Sequence, residues 1–150
     1  MTEPEQVLKA ASSALLIDWP SRDVPDTLAR AGYAVVVKGG PEPDNYSAYE
    51  VSDGEVVTRK VGRPPEKVDL VYSHRPLGEL PGIVEMARKF GARTVWCQSG
   101  LASSGENDPK GYWVPEEKSQ EARRIVESAG LAYVDDAYIA DVARQLTTSK

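Results

Sequence analysis

Three basic residues, Arg22, Lys38 and Arg75, each stand just past an apolar run, a placement that suits capture of a phosphorylated ligand. A guanidinium presents a planar fork to two phosphate oxygens, and a lysine ammonium acts as a compact point charge. Ser21 precedes Arg22 at what reads as a helix start, where free backbone N–H groups attract anions. Gln98, Ser99 and Gly100 close a third run; a glycine there lets a ligand approach the backbone, although a plain turn has the same composition. Trp19 can stack on an adenine or close the end of a sheet, and packing is the simpler reading.

Two other chemistries are weighed against this one. Cys97 and His74 end separate runs, and parallel strands would bring thiol and imidazole together as a nucleophile with its base, for instance against a thioester. Alternation, however, puts Cys97 inside a strand on the side of Val95, where a cysteine is usually inert packing. Asp18, Asp135 and Asp136 stand near run ends and could gather around a cation, but separated acids more often cap helices. One cysteine and one histidine exclude an intramolecular disulfide and a Cys/His zinc cluster.

The elements that must position these groups follow from periodicity. Pro4 to Ser12 reads as a leading helix, with Val7, Leu8 and Ala11 at helical spacing. Leu15 to Asp18 is a continuous apolar run of the kind found in strands covered on both faces. The turn Asp18, Trp19, Pro20, Ser21, Arg22 carries no glycine; Ser21 is the expected N-cap of a short helix with Val24, Leu28 and Ala31 inward, ending at Gly32. Tyr33 to Lys38 is a second strand, closed by Gly39, Gly40 and Pro41. "YEVSDGEVVTRKV" alternates about Asp53-Gly54, the dipeptide of a tight type I′ hairpin, and belongs at the sheet edge.

Val68 to Ser73 is the next strand, followed by a helix from about Gly78 to Phe90 with Ile83, Val84, Ala87 and Phe90 inward. After the strand "RTVWC", Leu101 to Pro115 is polar and turn-rich, long enough for a lid or a partner surface. A helix over Glu116–Ala129, the strand "LAYVDD" and a helix over Ala137–Leu146 complete the pattern. Alternating strands and helices predict an α/β fold, a Rossmann-like open parallel sheet with helices on both faces and a small β-hairpin at the edge. If "DLVYSH" returns beside the first strand, strand order reverses there, and ligands of such sheets bind outside the carboxyl ends at the reversal. Asp18 to Arg22, Ser73 to Pro76 and Gln98 to Gly100 are expected to meet at that point.

"VDLVYSHRP", "GARTVWCQSGL" and "GLAYVDDAYI", with a helix between each pair, resemble the stand-alone CoA-binding proteins, a small Rossmann-like family related to the CoA-binding domain of succinyl-CoA synthetase. The resemblance rests on Arg75-Pro76, on Val95-Trp96-Cys97-Gln98 with Gly100, and on Val134-Asp135; "AGYAVVVKGGP" is similar to the family's second strand. It runs from Ala14 to Leu146 apart from Ala102 to Lys118, which reads as an insertion. The first turn departs from the pattern: Asp18 takes the family's glycine position and the loop is shorter. A carboxylate there repels a pyrophosphate unless it points away or is neutralised. Lys38 stands where an NAD-binding domain would want an acid, and so favours a phosphorylated ribose such as that of CoA.

The resemblance implies binding of CoA, acyl-CoA or a related phosphorylated nucleotide, without catalysis by this chain alone, through Asp18, Trp19, Pro20, Ser21, Arg22, Lys38, Gly39, Arg75, Pro76, Gln98, Ser99 and Gly100. It also carries an expectation of homodimerisation. Two alternatives remain: a degenerate Rossmann scaffold acting through a protein partner, and a Cys97/His74 thioester-processing enzyme.

The whole chain bounds these readings. Its 150 residues, 41% of them hydrophobic, suit one domain spanning residues 1–150, with residues 1–12 as the leading helix and 102–118 as the insertion. A net charge of −5 argues against a nucleic-acid or membrane-surface partner. No apolar run is long enough to span a bilayer and no basic-then-apolar leader opens the chain, so a cytoplasmic location is expected.

Overall fold

The computed structural model describes residues 2–40 and 42–148; Pro41, expected in the turn after the second strand, lies outside the described residues, as do Met1 and residues 149–150. A capping box opens α1 (Glu3–Ala10): Thr2 Oγ1 accepts the Glu5 N–H at 3.3 Å and Glu5 Oε1 accepts the Thr2 N–H at 3.4 Å. β1 (Ser13–Leu16), α2 (Asp23–Arg30) and β2 (Ala34–Lys38) follow. β3 (Tyr46–Ser52) and β4 (Glu55–Lys60) form the expected hairpin. Asp53 (φ 52°) and Gly54 (φ 80°) supply the two consecutive left-handed residues that a type I′ turn requires. Next come β5 (Leu70–Ser73), a 3-10 turn (Leu77–Glu79), α3 (Leu80–Lys89) and β6 (Thr94–Cys97). The chain closes with α4 (Glu116–Ser128), β7 (Ala132–Val134) and α5 (Ile139–Thr148).

The strands form one seven-stranded sheet in the order β4-β3-β2-β1-β5-β6-β7, parallel from β2 to β7 and antiparallel in the hairpin. This is the Rossmann-like α/β fold, and β1 lies between β2 and β5, so strand order reverses where expected. Alternation along each strand builds two cores. Leu16, Tyr72, Trp96 and Val134 face α1, α2 and α5 with Leu8, Leu28 and Ile139. Leu15, Val71, Val95 and Tyr133 face α3 and α4 with Ile83, Val84, Phe90 and Val126. A one-residue slip of β1 would exchange fully buried Leu15 and Leu16 between faces, so register is set by two cores at once.

Element ends differ from the expected ones for local reasons. β1 stops at Leu16: Ile17 still donates to the Tyr72 carbonyl (2.9 Å), and Asp18 lies beyond the ladder. Ser21 is not an N-cap. Arg22 occupies the cap with φ −63° and ψ −16°, already helical and with no side-chain cap bond, and the Val24 N–H donates to the Ser21 carbonyl at 3.3 Å instead. The helix expected from Gly78 begins instead as the 3-10 turn, and α3 starts at Leu80 with a proline in its first turn.

The 101–115 segment is bonded mainly to itself, with a Leu101–Asn107 bridge and a Trp113 N–H donated to the Leu101 carbonyl at 2.9 Å. Gly111 has no room for a side chain, since a Cβ would sit 2.3 Å from the Leu101 backbone. Among the described residues no helix is long and apolar enough to cross a membrane.

Candidate functional site

The three segments expected at the strand-order reversal do meet. Asp18 accepts the Trp19 N–H at 2.9 Å, and its other oxygen lies 3.6 Å from Arg75 Nη1. The Asp18 carboxylate is thus paired with the arginine on the neighbouring strand end. Arg75 also donates to Glu79 at 2.7 Å, and Glu79 is held below the usual carboxylate range by that bond and charge. These side chains are 40–47% exposed, so the pairs stabilise little and can be exchanged for a more strongly charged anion at small cost. On the other side, His74 Nδ1 lies 3.1 Å from the Gln98 carbonyl; that partner only accepts, so Nδ1 carries the hydrogen.

The remaining predicted residues gather nearer the hairpin. Trp19 packs edge-on to Tyr49 with centroids 6.4 Å apart, and the Arg22 guanidinium lies 5.1 Å above the same ring while Nε donates to Asp26 at 3.2 Å. Pro20 and Ser21 are half-buried in the intervening turn. Lys38 follows the Leu16–Val37 pair by one residue, so register sets it beside the end of β1, and its Nζ donates to the Gly40 carbonyl at 2.8 Å. The Gly39 N–H donates to the Asn45 carbonyl at 3.0 Å.

The start of α2 is tied to α5. Asp23 accepts from Arg144 Nη1 at 2.9 Å and from the Tyr138 hydroxyl at 2.7 Å. Mainly through the Arg144 bond, its carboxyl is lowered from 3.8 to about 2. A depressed acid contributes stability that is fully present above about pH 4 and is lost as pH falls toward 2. The Asp23 side chain is 36% exposed, so solvent screening reduces the contribution to about 1 kcal/mol. Thermal melts should therefore show wild type more stable than Asp23→Asn at pH 5 and the difference gone near pH 2; a pH-independent difference would refute the linkage.

At the ends of β5, β6 and β7 lies a cavity of about 210 Å³ roofed by the 101–115 segment. Arg75, Pro76, Gln98 and Ser99 line it; Asp18 to Arg22, Lys38, Gly39 and Gly100 do not. Gly100 has φ +71°, and a Cβ there would meet His74 Cε1 at 2.4 Å, so the close approach it permits is that of the imidazole. Ser99 Oγ accepts the Leu101 N–H at 3.1 Å. Gln98 Oε1 accepts the Ile139 N–H at 3.2 Å and so caps α5, leaving buried Nε2 without a partner. The hydroxyl of Tyr72 is also buried and unpartnered, with Tyr138 and Asp18 near enough to influence it electrostatically.

Sequence reasoning did not find Tyr133, whose position in the last strand reads as core. Its side chain lines the cavity with Asp135, which is only 8% exposed and accepts from Ser119 Oγ. Val114 and Tyr112 close the roof. Cys97 also lines the cavity, but burial pushes its thiol up to about 12, leaving on the order of one part in 10⁵ as nucleophilic thiolate at pH 7. Among the described residues no three His, Cys, Asp or Glu side chains cluster as metal ligands.

Residues 16–141 match the model of a family described as a CoA binding domain. No curated protein matches the sequence. Among solved structures, the redesigned binding protein Prb superposes with a TM-score of 0.63 at 17% identity, over 100% of this chain and 95% of that one. A hypothetical protein from Pyrococcus horikoshii OT3 superposes with a TM-score of 0.58 at 20% identity, over 97% and 92%. A Thermus thermophilus protein gives 0.57 at 21% identity, over 97% and 99%. At these identities the likeness shows the shared fold.

Proposed function

The chain belongs to the CoA-binding domain family, and from that premise we propose that it binds CoA, or an acyl-CoA, at the strand-order reversal and performs no chemistry on it alone. The observation that carries this reading is Arg75, standing between the Asp18 turn and the 210 Å³ cavity in ion pairs exposed enough to exchange. A pyrophosphate arriving here takes over donors now spent on Asp18 and Glu79. Arg22 supplies further positive charge beside the Asp18 turn, and Lys38 stands where a ribose phosphate would gain a cation. The unpartnered Nε2 of Gln98, a residue that lines the cavity, fits a polar ligand at these strand ends. With its thiol held protonated, Cys97 takes no part in this proposal.

Calorimetric titration of nucleotide-stripped protein with CoA, dephospho-CoA, NAD and NADP tests the reading. CoA is expected to saturate, and loss of the ribose phosphate to weaken binding about tenfold or more, the scale of one charge-assisted hydrogen bond. One observation favours a second reading, contact with a protein partner: Tyr112 and Trp113 are 43% and 41% exposed on the 101–115 segment. Absence of heat and of thermal stabilisation at millimolar CoA would overturn nucleotide binding and leave that reading.

A further inference from the structure

The cavity beneath the 101–115 segment has apolar walls and a polar end. Pro76, Leu77 and Val114 supply apolar surface, and Tyr133 and Asp135 supply a phenol and a carboxylate. Tyr133 is fully buried, and its hydroxyl lies within hydrogen-bonding range of the Asp135 carboxylate and the Cys97 thiol but meets neither in good geometry. A buried hydroxyl left in that state costs free energy that a ligand atom can recover. Arg75 lines the cavity while reaching Asp18, so one residue joins the phosphate side of the site to this space.

Resting on the CoA reading, we infer that this cavity receives the acyl end of an acyl-CoA, and that it prefers a short, uncharged acyl group carrying a hydroxyl over one ending in a carboxylate. The volume, about 210 Å³, equals roughly seven liquid waters, room for a chain of a few carbons. A ligand hydroxyl both accepts and donates, which matches a phenol that donates and a carboxylate that accepts. Burial, and after it the neighbouring Cys97 and Asp135, raise the Tyr133 phenol, keeping it protonated and a donor. A second carboxylate would meet Asp135, itself only 8% exposed, where burial reduces screening by water, and like charges so placed repel. Arg123 sits over the Tyr133 ring at 5.5 Å and lies 3.7 Å from Glu127, and it does not line the cavity.

The test compares CoA with three thioesters of equal chain length, butyryl-CoA, 3-hydroxybutyryl-CoA and succinyl-CoA, by calorimetry on wild type, Asp135→Asn and Tyr133→Phe. Wild type is expected to bind 3-hydroxybutyryl-CoA at least tenfold more tightly than succinyl-CoA. Asp135→Asn should shrink that ratio several-fold by admitting the acid. Tyr133→Phe, which keeps the ring packing, should bring 3-hydroxybutyryl-CoA down to the affinity of butyryl-CoA. Equal affinities for all three thioesters in wild type, with CoA itself bound, would overturn the acyl preference and leave the CoA reading intact. A ratio that neither variant moves would do the same. Failure to bind any of the four would overturn both.

Discussion

Arg75→Ala is expected to weaken CoA binding roughly 30- to 100-fold, the equivalent of about 2–3 kcal/mol for a guanidinium–phosphate contact and its charge. The side chain stands between two carboxylates, 2.7 Å from Glu79 and 3.6 Å from Asp18. Its removal therefore does more than delete a donor, because both acids are left facing the arriving pyrophosphate. The ion pairs that are lost are exposed and add little to folding stability, so the variant should remain folded and the loss should be one of binding. If the bare Asp18 charge accounts for part of the effect, Asp18→Asn in the Arg75→Ala background should recover about fivefold in affinity, whereas Asp18→Asn alone should change little. Calorimetry on the three variants measures both terms. An Arg75→Ala protein with wild-type affinity would remove this arginine from the site.

Trp96→Ala is expected to cost about 3–5 kcal/mol of stability, lowering the melting temperature by roughly 10 °C or more, the largest folding effect of any single truncation considered. Trp96 is fully buried in β6 and belongs to the core that also holds Leu16, Tyr72 and Ile139. Its Nε1–H donates to the Ala137 carbonyl at 3.1 Å, fastening the end of β6 to the segment that enters α5. Truncation leaves a large cavity, an unpaired carbonyl and a loosened anchor for Gln98, which caps the same helix. Trp96→Phe separates these contributions, since it keeps most of the packing and loses the hydrogen bond; a cost of about 1–2 kcal/mol is expected. Trp113→Ala serves as the contrast: that indole is 41% exposed, and its loss should change stability by about 0.5 kcal/mol or less. Chemical denaturation of the three variants gives the ranking, and equal effects of the two alanine substitutions would contradict the burial described here.

The sheet was readable from short-range pattern. Mostly apolar runs at 15–18, 33–38 and 68–73 identified buried parallel strands, because such strands are covered on both faces, and Asp53-Gly54 identified the hairpin, because only residues tolerant of positive φ turn two strands so tightly. The reversal of strand order beside β1 then followed from connection rules, and with it the meeting of Asp18, His74–Arg75 and Gln98. What periodicity leaves open is where a side chain goes once it passes the last ladder bond. Ser21 looked like a cap by residue type, yet the backbone at Arg22 was already helical. Gly100 looked like room for a ligand, and the room is taken by an imidazole from the adjacent strand end.

Thus the sequence by itself determined the Rossmann-like sheet and the strand ends at which a ligand would meet protein, since both depend on alternation and turn chemistry within a few residues. Only the tertiary structure decided that Asp18 is neutralised by Arg75, that Arg22 and Trp19 lean on Tyr49, and that Tyr133 and Asp135 end a cavity under the 101–115 segment. Those are contacts between residues far apart in the chain, fixed by strand order and by the path of one self-bonded loop, and no local propensity encodes them.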